Sequence, residues 1–123
     1  MWKAKFMIQG LSDLVNKKSG HGWKWRYGRK KLWMNKTINA FILAGYRIPD
    51  KPISNYEINI TRHSEREPDH DNLPSCAKDI IDGLVKNHVL YNDDPASMKI
   101  CNVFWKFAKK SEGFMEINIR ELR

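Results

Sequence analysis

Cysteine is scarce in this chain: Cys76 and Cys101 are the only two. They form no C-x-x-C pair and both fall in apolar stretches, which excludes a disulfide framework or a thiolate zinc site. Two buried thiols in a reducing cytoplasm are the expectation. Long hydrophobic runs are missing as well. None approaches the roughly 18 residues of a membrane span, and the opening Met1-Trp2-Lys3-Ala4-Lys5 lacks the apolar core of a signal peptide. His63, His70 and His88 show no metal-ligand spacing and read as surface or loop residues. A calcium loop of the EF-hand type is excluded because Leu73 and Pro74 stand where a ligand and a glycine are needed. Repeats and low-complexity tracts are absent, so the 123 residues read as one domain, residues 1–123.

Acidic residues are absent between Asp13 and Asp50. That span holds Lys17, Lys18, Lys24, Arg26, Arg29, Lys30, Lys31, Lys36 and Arg47, interleaved with Trp23, Trp25, Tyr27 and Trp33. The whole chain carries 22 basic and 14 acidic residues, a net charge of +8. An anionic partner follows, nucleic acid first, with phosphates on the cations and bases stacking on the rings. Lys24, Arg26, Arg29, Lys30 and Lys31 are the candidate contacts. Trp33 lies inside a helical pattern and reads as core. Trp23 and Trp25, flanked by Gly20, Gly22 and Gly28, fit either a core or a stacking role.

Periodicity sets the fold class. Trp2, Ala4, Phe6 and Ile8 alternate with Lys3, Lys5 and Met7, a half-buried strand. A polar, glycine-punctuated stretch runs through Gly28, with one helical turn near residues 11–15. A helix then spans residues 29–44, burying Met34, Ile38, Phe41 and Ile42 and capped by Gly45. Tyr56, Ile58 and Ile60 mark a second strand. Residues 100–107 read as a strand buried on both faces, and Met115, Ile117 and Ile119 as one that pairs with it in a hairpin. The expected fold is α+β, a single domain of order β-α-β-α-β-β with the helices on one face of a mixed sheet.

The chemistry concentrates at Asp69-His70-Asp71. Two apart at the end of the second strand, Asp69 and Asp71 present both carboxylates on one side and turn His70 to the other. The chain then enters a helix with Pro74 in its first turn. Its apolar stripe is Leu73, Cys76, Ala77, Ile80, Ile81, Leu84 and Val85, and Ser75, Lys78 and Asp82 lie opposite. After the helix the chain doubles back to Asp93-Asp94. Three carboxylates and a lysine at one helix end are the raw material of a Mg²⁺ site. One or two such ions activate water and stabilise the leaving oxygen of a phosphodiester. The same residues also fit a plainer role, in which Asp69 and Asp71 cap the helix and Lys78 pairs with Asp82 one turn on.

Pro68-Asp69-His70-Asp71-Asn72-Leu73, then Lys78, then Asp82-Gly83-Leu84, then Asp93-Asp94 resembles the RusA family of Holliday junction resolvases, endodeoxyribonucleases of phages and prophages. The match covers roughly residues 66–100. It implies a RusA-like fold and a homodimeric, Mg²⁺-dependent nuclease, with Mn²⁺ as a possible substitute, that makes paired nicks in branched DNA, the four-way junction. By position, Asp69, Asp71 and Asp94 would bind metal and Lys78 would be the catalytic lysine. The setting would be the cytoplasm of a bacterial or phage-infected cell, and the aromatic strand around Phe104 and Trp105 is the candidate dimer interface. The best-known members place the lysine four residues after the second aspartate. Here Lys78 follows by seven and Ser75 holds the usual place, although four and seven residues of helix (about 400° and 700°) return to nearly the same face. Two alternatives stand beside this reading: a DNA-binding protein of the same fold without catalysis, and a nuclease selective for flaps or forks.

Overall fold

A computed structural model describes residues 1–14 and 20–123. Strand β1 (Lys3–Gln9) leads to the long helix α1 (Trp23–Leu43), and β2 (Tyr56–Ser64) follows. A 3-10 turn, Leu73–Ala77, runs directly into α2 (Lys78–Lys86). Strand β3 (Met98–Phe107), a short 3-10 turn and β4 (Phe114–Glu121) complete the chain. The fold is α+β with the expected element order. No helix among the described residues is long and apolar enough to cross a membrane.

The sheet is mixed, in the order β1-β4-β2-β3. Strand β4 lies antiparallel to both β1 and β2, while β2 and β3 run parallel, joined through α2. Every second residue faces one core: Ala4, Phe6 and Ile8, then Tyr56, Ile58 and Ile60, then Met115, Ile117 and Ile119 are all buried. Trp33 and Phe41 of α1 and Ile80 and Leu84 of α2 join that cluster, so both helices cover the same face. Phe41 meets Phe6 edge-on, with centroids 5.6 Å apart, and stacks on Tyr46 at 5.3 Å. Gly45, at φ +98°, ends α1: its N–H donates to the Ile42 carbonyl, and the Tyr46 N–H reaches Phe41. These two bonds make the left-handed cap expected of this glycine.

Several expectations need correction. Helix α1 begins at Trp23 rather than Arg29, because Gly28 sits on an exposed face where its lack of a side chain costs only about 1 kcal/mol. Residues 11–14 are irregular, not a helical turn, and Val15 lies outside the described residues with Lys17 and Lys18. The buried face of α1 is Trp33, Thr37, Ile38 and Phe41, while Ile42 is exposed. The last two strands form no hairpin, since β4 inserts between β1 and β2 and leaves β3 at the edge. There β3 is largely exposed on both faces, not buried, and Cys101 on it is an exposed free thiol, whereas Cys76 is buried as expected.

Candidate active site

Strand β2 ends at Ser64, so Asp69 and Asp71 do not stand on a strand. They belong to a turn, in which the Asp69 carbonyl accepts the N–H groups of Asn72 (2.9 Å) and Leu73 (3.0 Å). The alternation that would align their carboxylates, and turn His70 away, therefore does not apply. Pro74 opens the 3-10 turn, where its missing N–H is no loss. Asn72 is the capping position and no side chain caps the turn; Asp69 and Asp71 are both exposed. Backbone carbonyls, rather than carboxylates, organise this helix entry.

The helix stripe is as expected: Cys76, Ala77, Ile80, Ile81 and Leu84 are buried, with Leu73 and Val85 packed against the core. Gly83 meets α1 so closely that a Cβ there would lie 2.9 Å from the Met34 backbone. That contact fixes the roll of α2 and thereby the direction of Lys78 and Asp82. The Lys78 ammonium lies 3.1 Å from the Asp82 carboxylate and 3.7 Å from Asp93. The hydrogen bond from Lys78 to Asp82 raises its pKa above the ordinary lysine value, partial burial opposes this, and Asp93 adds to the rise. Lys78 is therefore a firm cation at neutral pH.

Asp94 serves a different purpose from Asp93. One of its carboxylate oxygens accepts the Ser97 N–H (3.1 Å), the other the Asn92 side-chain amide (3.0 Å). Its carbonyl receives the N–H groups of Ser97 and Met98, which sets the chain into β3. The Tyr56 hydroxyl donates to the Asn92 carbonyl at 2.6 Å and ties this turn to β2. Of the acidic pair, Asp93 thus faces the lysine and Asp94 shapes the turn. A carboxylate has about four acceptor sites, so Asp94 retains lone pairs.

The 3-10 turn divides the motif between two open cavities. One, of about 590 Å³, is lined by Pro74, Ser75, Lys78 and Asp93 together with Cys101 and Asn102 of β3. The other, of about 950 Å³, is lined by Asp69 and Asn72 with Arg62 and Arg66. Lys78, Asp82 and Asp93 are brought together; Asp69 and Asp71 are not joined to them. Among the described residues no three histidine, cysteine or acidic side chains stand close enough to hold a metal ion.

Two of the five candidate phosphate contacts are drawn inward. Arg29 grips the buried Asp13 with two hydrogen bonds, 2.7 and 3.0 Å, and that contact raises its pKa further. Lys30 bonds Asp82 and lies 3.8 Å from Asp79, so it joins α1 to the motif helix. Lys24, Arg26 and Lys31 are exposed, as is Trp23 at 67%. Trp25 stacks on His21 at 3.8 Å, and Trp33 is buried in the core. The sequence reading missed Lys30 as a partner of Asp82, because that contact joins two helices at no fixed spacing. It also missed Arg62, whose signal was legible: Tyr56, Ile58, Ile60 and Arg62 occupy one row of β2. No protein-family model matches the chain, and no curated protein matches it.

Proposed function

We propose that this chain is a Mg²⁺-dependent, structure-selective endodeoxyribonuclease of RusA type that nicks four-way DNA junctions in pairs. The observation that carries this reading is the meeting of Lys78 with Asp82 and Asp93. Three separated parts of the motif share one cluster, at 3.1 and 3.7 Å. Asp69 and Asp71 open the same segment from an exposed turn. A surface carboxylate turn without a partner would repel a polyanion, so a cation between the two gives it a use.

Carboxylate oxygens from Asp69, Asp71 and Asp94 are the hard ligands that Mg²⁺ takes, with water and phosphate completing its shell. The three do not converge on one point as they stand, so binding an ion would have to draw the Asp69–Asp71 turn towards Asp94; once bound, it would supply charge neutralisation and an activated water. The chain's own part is distinct. The Lys78 ammonium, raised in pKa, offers a fixed positive charge beside a cavity open to a strand. Charge that builds on phosphoryl oxygens during attack is stabilised there more than in the ground state. Asp82 and Asp93 hold that ammonium in place, and Lys30 anchors Asp82 from α1.

Paired nicks need two sites, and the chain supplies one. The edge strand β3 supports a two-fold partner of the same chain. On the open face it exposes Ile100 and Phe104, and beyond helix cover it exposes Phe107. An exposed apolar edge of ten residues is normally blunted or covered, and a self-complementary patch suits an isologous dimer. The exposed Lys24, Arg26 and Lys31, beside Trp23, give DNA a cationic approach along α1.

The test is a labelled four-way junction, a flap and a linear duplex, each incubated with Mg²⁺ and with chelator. Symmetric nicks in the junction with Mg²⁺ alone are expected. Binding without cutting under every metal condition would favour a non-catalytic DNA-binding protein instead. Preferential cutting of the flap would move selectivity away from junctions.

A further inference from the structure

Arg62 stands in the core-facing row of β2, after Tyr56, Ile58 and Ile60, and is only 8% exposed. A buried cation is costly unless paired. Yet among the described residues no carboxylate forms an ion pair with it. Its Nη1 donates to the Ser12 carbonyl at 2.7 Å, the guanidinium also lies against the Cys76 thiol, and its Nε–H is buried without any acceptor. A guanidinium carries five N–H donors, so much of this one's capacity is unused. The side chain lines the cavity that also holds Asp69. Arg66 and Lys110 line it too, against Glu65 and Glu67, so the formal charges of the lining cancel. They do not cancel in depth: those four and Asp69 are exposed, and Arg62 alone is buried. The inner charge is positive.

We propose that Arg62 is the floor of a phosphate site, which receives a backbone phosphate of the DNA strand led past Asp69. The assignment rests on the nuclease reading for its ligand and adds a contact outside the aspartate–lysine motif. A planar fork suits two phosphate oxygens at once. It also gives a buried cation the anionic partner it lacks among the described residues, since the Ser12 carbonyl and the Cys76 thiol are both uncharged and only brace the loop after β1.

Two readouts without divalent metal test it. The first is thermal unfolding in inorganic phosphate against chloride at matched ionic strength. The second is four-way junction affinity in chelator. Wild type should gain melting temperature saturably with phosphate. Arg62→Met should lose that response and bind the junction about tenfold or more weakly. Arg62→Lys keeps the charge without the fork, and should keep part of both effects; it carries the comparison if Arg62→Met does not fold. An equal phosphate response in all folded variants, or none in wild type, would overturn the site. A lost phosphate response with unchanged junction affinity would assign it to free phosphate and overturn the DNA ligand. Failure to cut with Mg²⁺ would refute the nuclease reading and leave both of these readouts standing.

Discussion

Lys78 sits between Asp82 and Asp93, and its consequences differ by role. As an i,i+4 partner of Asp82 it contributes only a few tenths of a kcal/mol, since the ammonium is mostly exposed. As a charge facing a phosphoryl group it acts on the rate. Lys78→Ala should therefore slow single-turnover cleavage by about a hundredfold, ~2.7 kcal/mol of barrier, while the midpoint of thermal unfolding barely moves. Measuring both for one variant separates the roles, and a near-normal rate would remove Lys78 from the site. Asp82 is the more entangled residue, because Lys30 and Lys78 both bind it. Its replacement should disturb α1 packing as well as the lysine, so it is the poorer probe.

At the level of elements, Gly83 is where α2 touches α1. Alanine would raise intrinsic helix propensity by about 1 kcal/mol. Its Cβ, however, would lie 2.9 Å from the Met34 Cα and carbonyl oxygen, backbone atoms that cannot swing aside. Overpacking costs about 1–3 kcal/mol, and a backbone clash belongs at the upper end. Gly83→Ala should thus cost about 1–2 kcal/mol of stability, read as a lower urea midpoint at an unchanged m-value; a stabilised variant would show that the helices separate freely. Strand β3 invites a second test. If Phe104, half exposed on the open face, meets its copy, sedimentation at micromolar concentration should show a dimer for wild type and a monomer for Phe104→Glu. A wild-type monomer with full activity would rule out the β3 interface.

These elements were legible to different degrees for physical reasons. Alternation at Phe6 and Ile8 and the stripe from Cys76 to Leu84 report burial directly, because one side of each element faces a single core. The apolar density of residues 100–107 does not report burial within the chain: on an edge strand these side chains stay largely exposed. Pairing order was beyond reach: β4 alternates as well beside β1 and β2 as it would beside β3. Asp69 and Asp71 lie past Ser64, where backbone turn bonds take over from the ladder and period-2 alternation no longer sets side-chain direction. The Lys78–Asp82 contact followed from helical spacing, whereas its Asp93 arm depends on how the turn held by Asn92 and Asp94 folds back.

For the whole molecule, the +8 charge divides into cations spent on the fold and cations left outside. Arg29 and Lys30 belong to the first group. Arg29→Gln would remove two charge-assisted hydrogen bonds to the buried Asp13 and cost about 1.5–3 kcal/mol, with little change in the salt dependence of binding. Lys24, Arg26 and Lys31 belong to the second. Neutralising all three should reduce the log–log salt slope of DNA binding by about 0.9 per lost phosphate contact. Junction and duplex should weaken together, because such contacts position rather than specify. A slope untouched by the triple change would mean that this face of α1 meets only solvent.

On the proposed reading, the exposed aspartate turn serves metal-dependent cutting and not DNA binding. Single-turnover cleavage of a four-way junction in Mg²⁺, by wild type and by Asp71→Asn, tests it most directly when junction affinity is measured on the same samples. Wild type should nick opposing strands in Mg²⁺ and do nothing in chelator. Asp71→Asn, which removes one charge with hardly a change in shape, should bind the junction at least as well and leave it intact. Cleavage by Asp71→Asn at the wild-type rate would contradict the account.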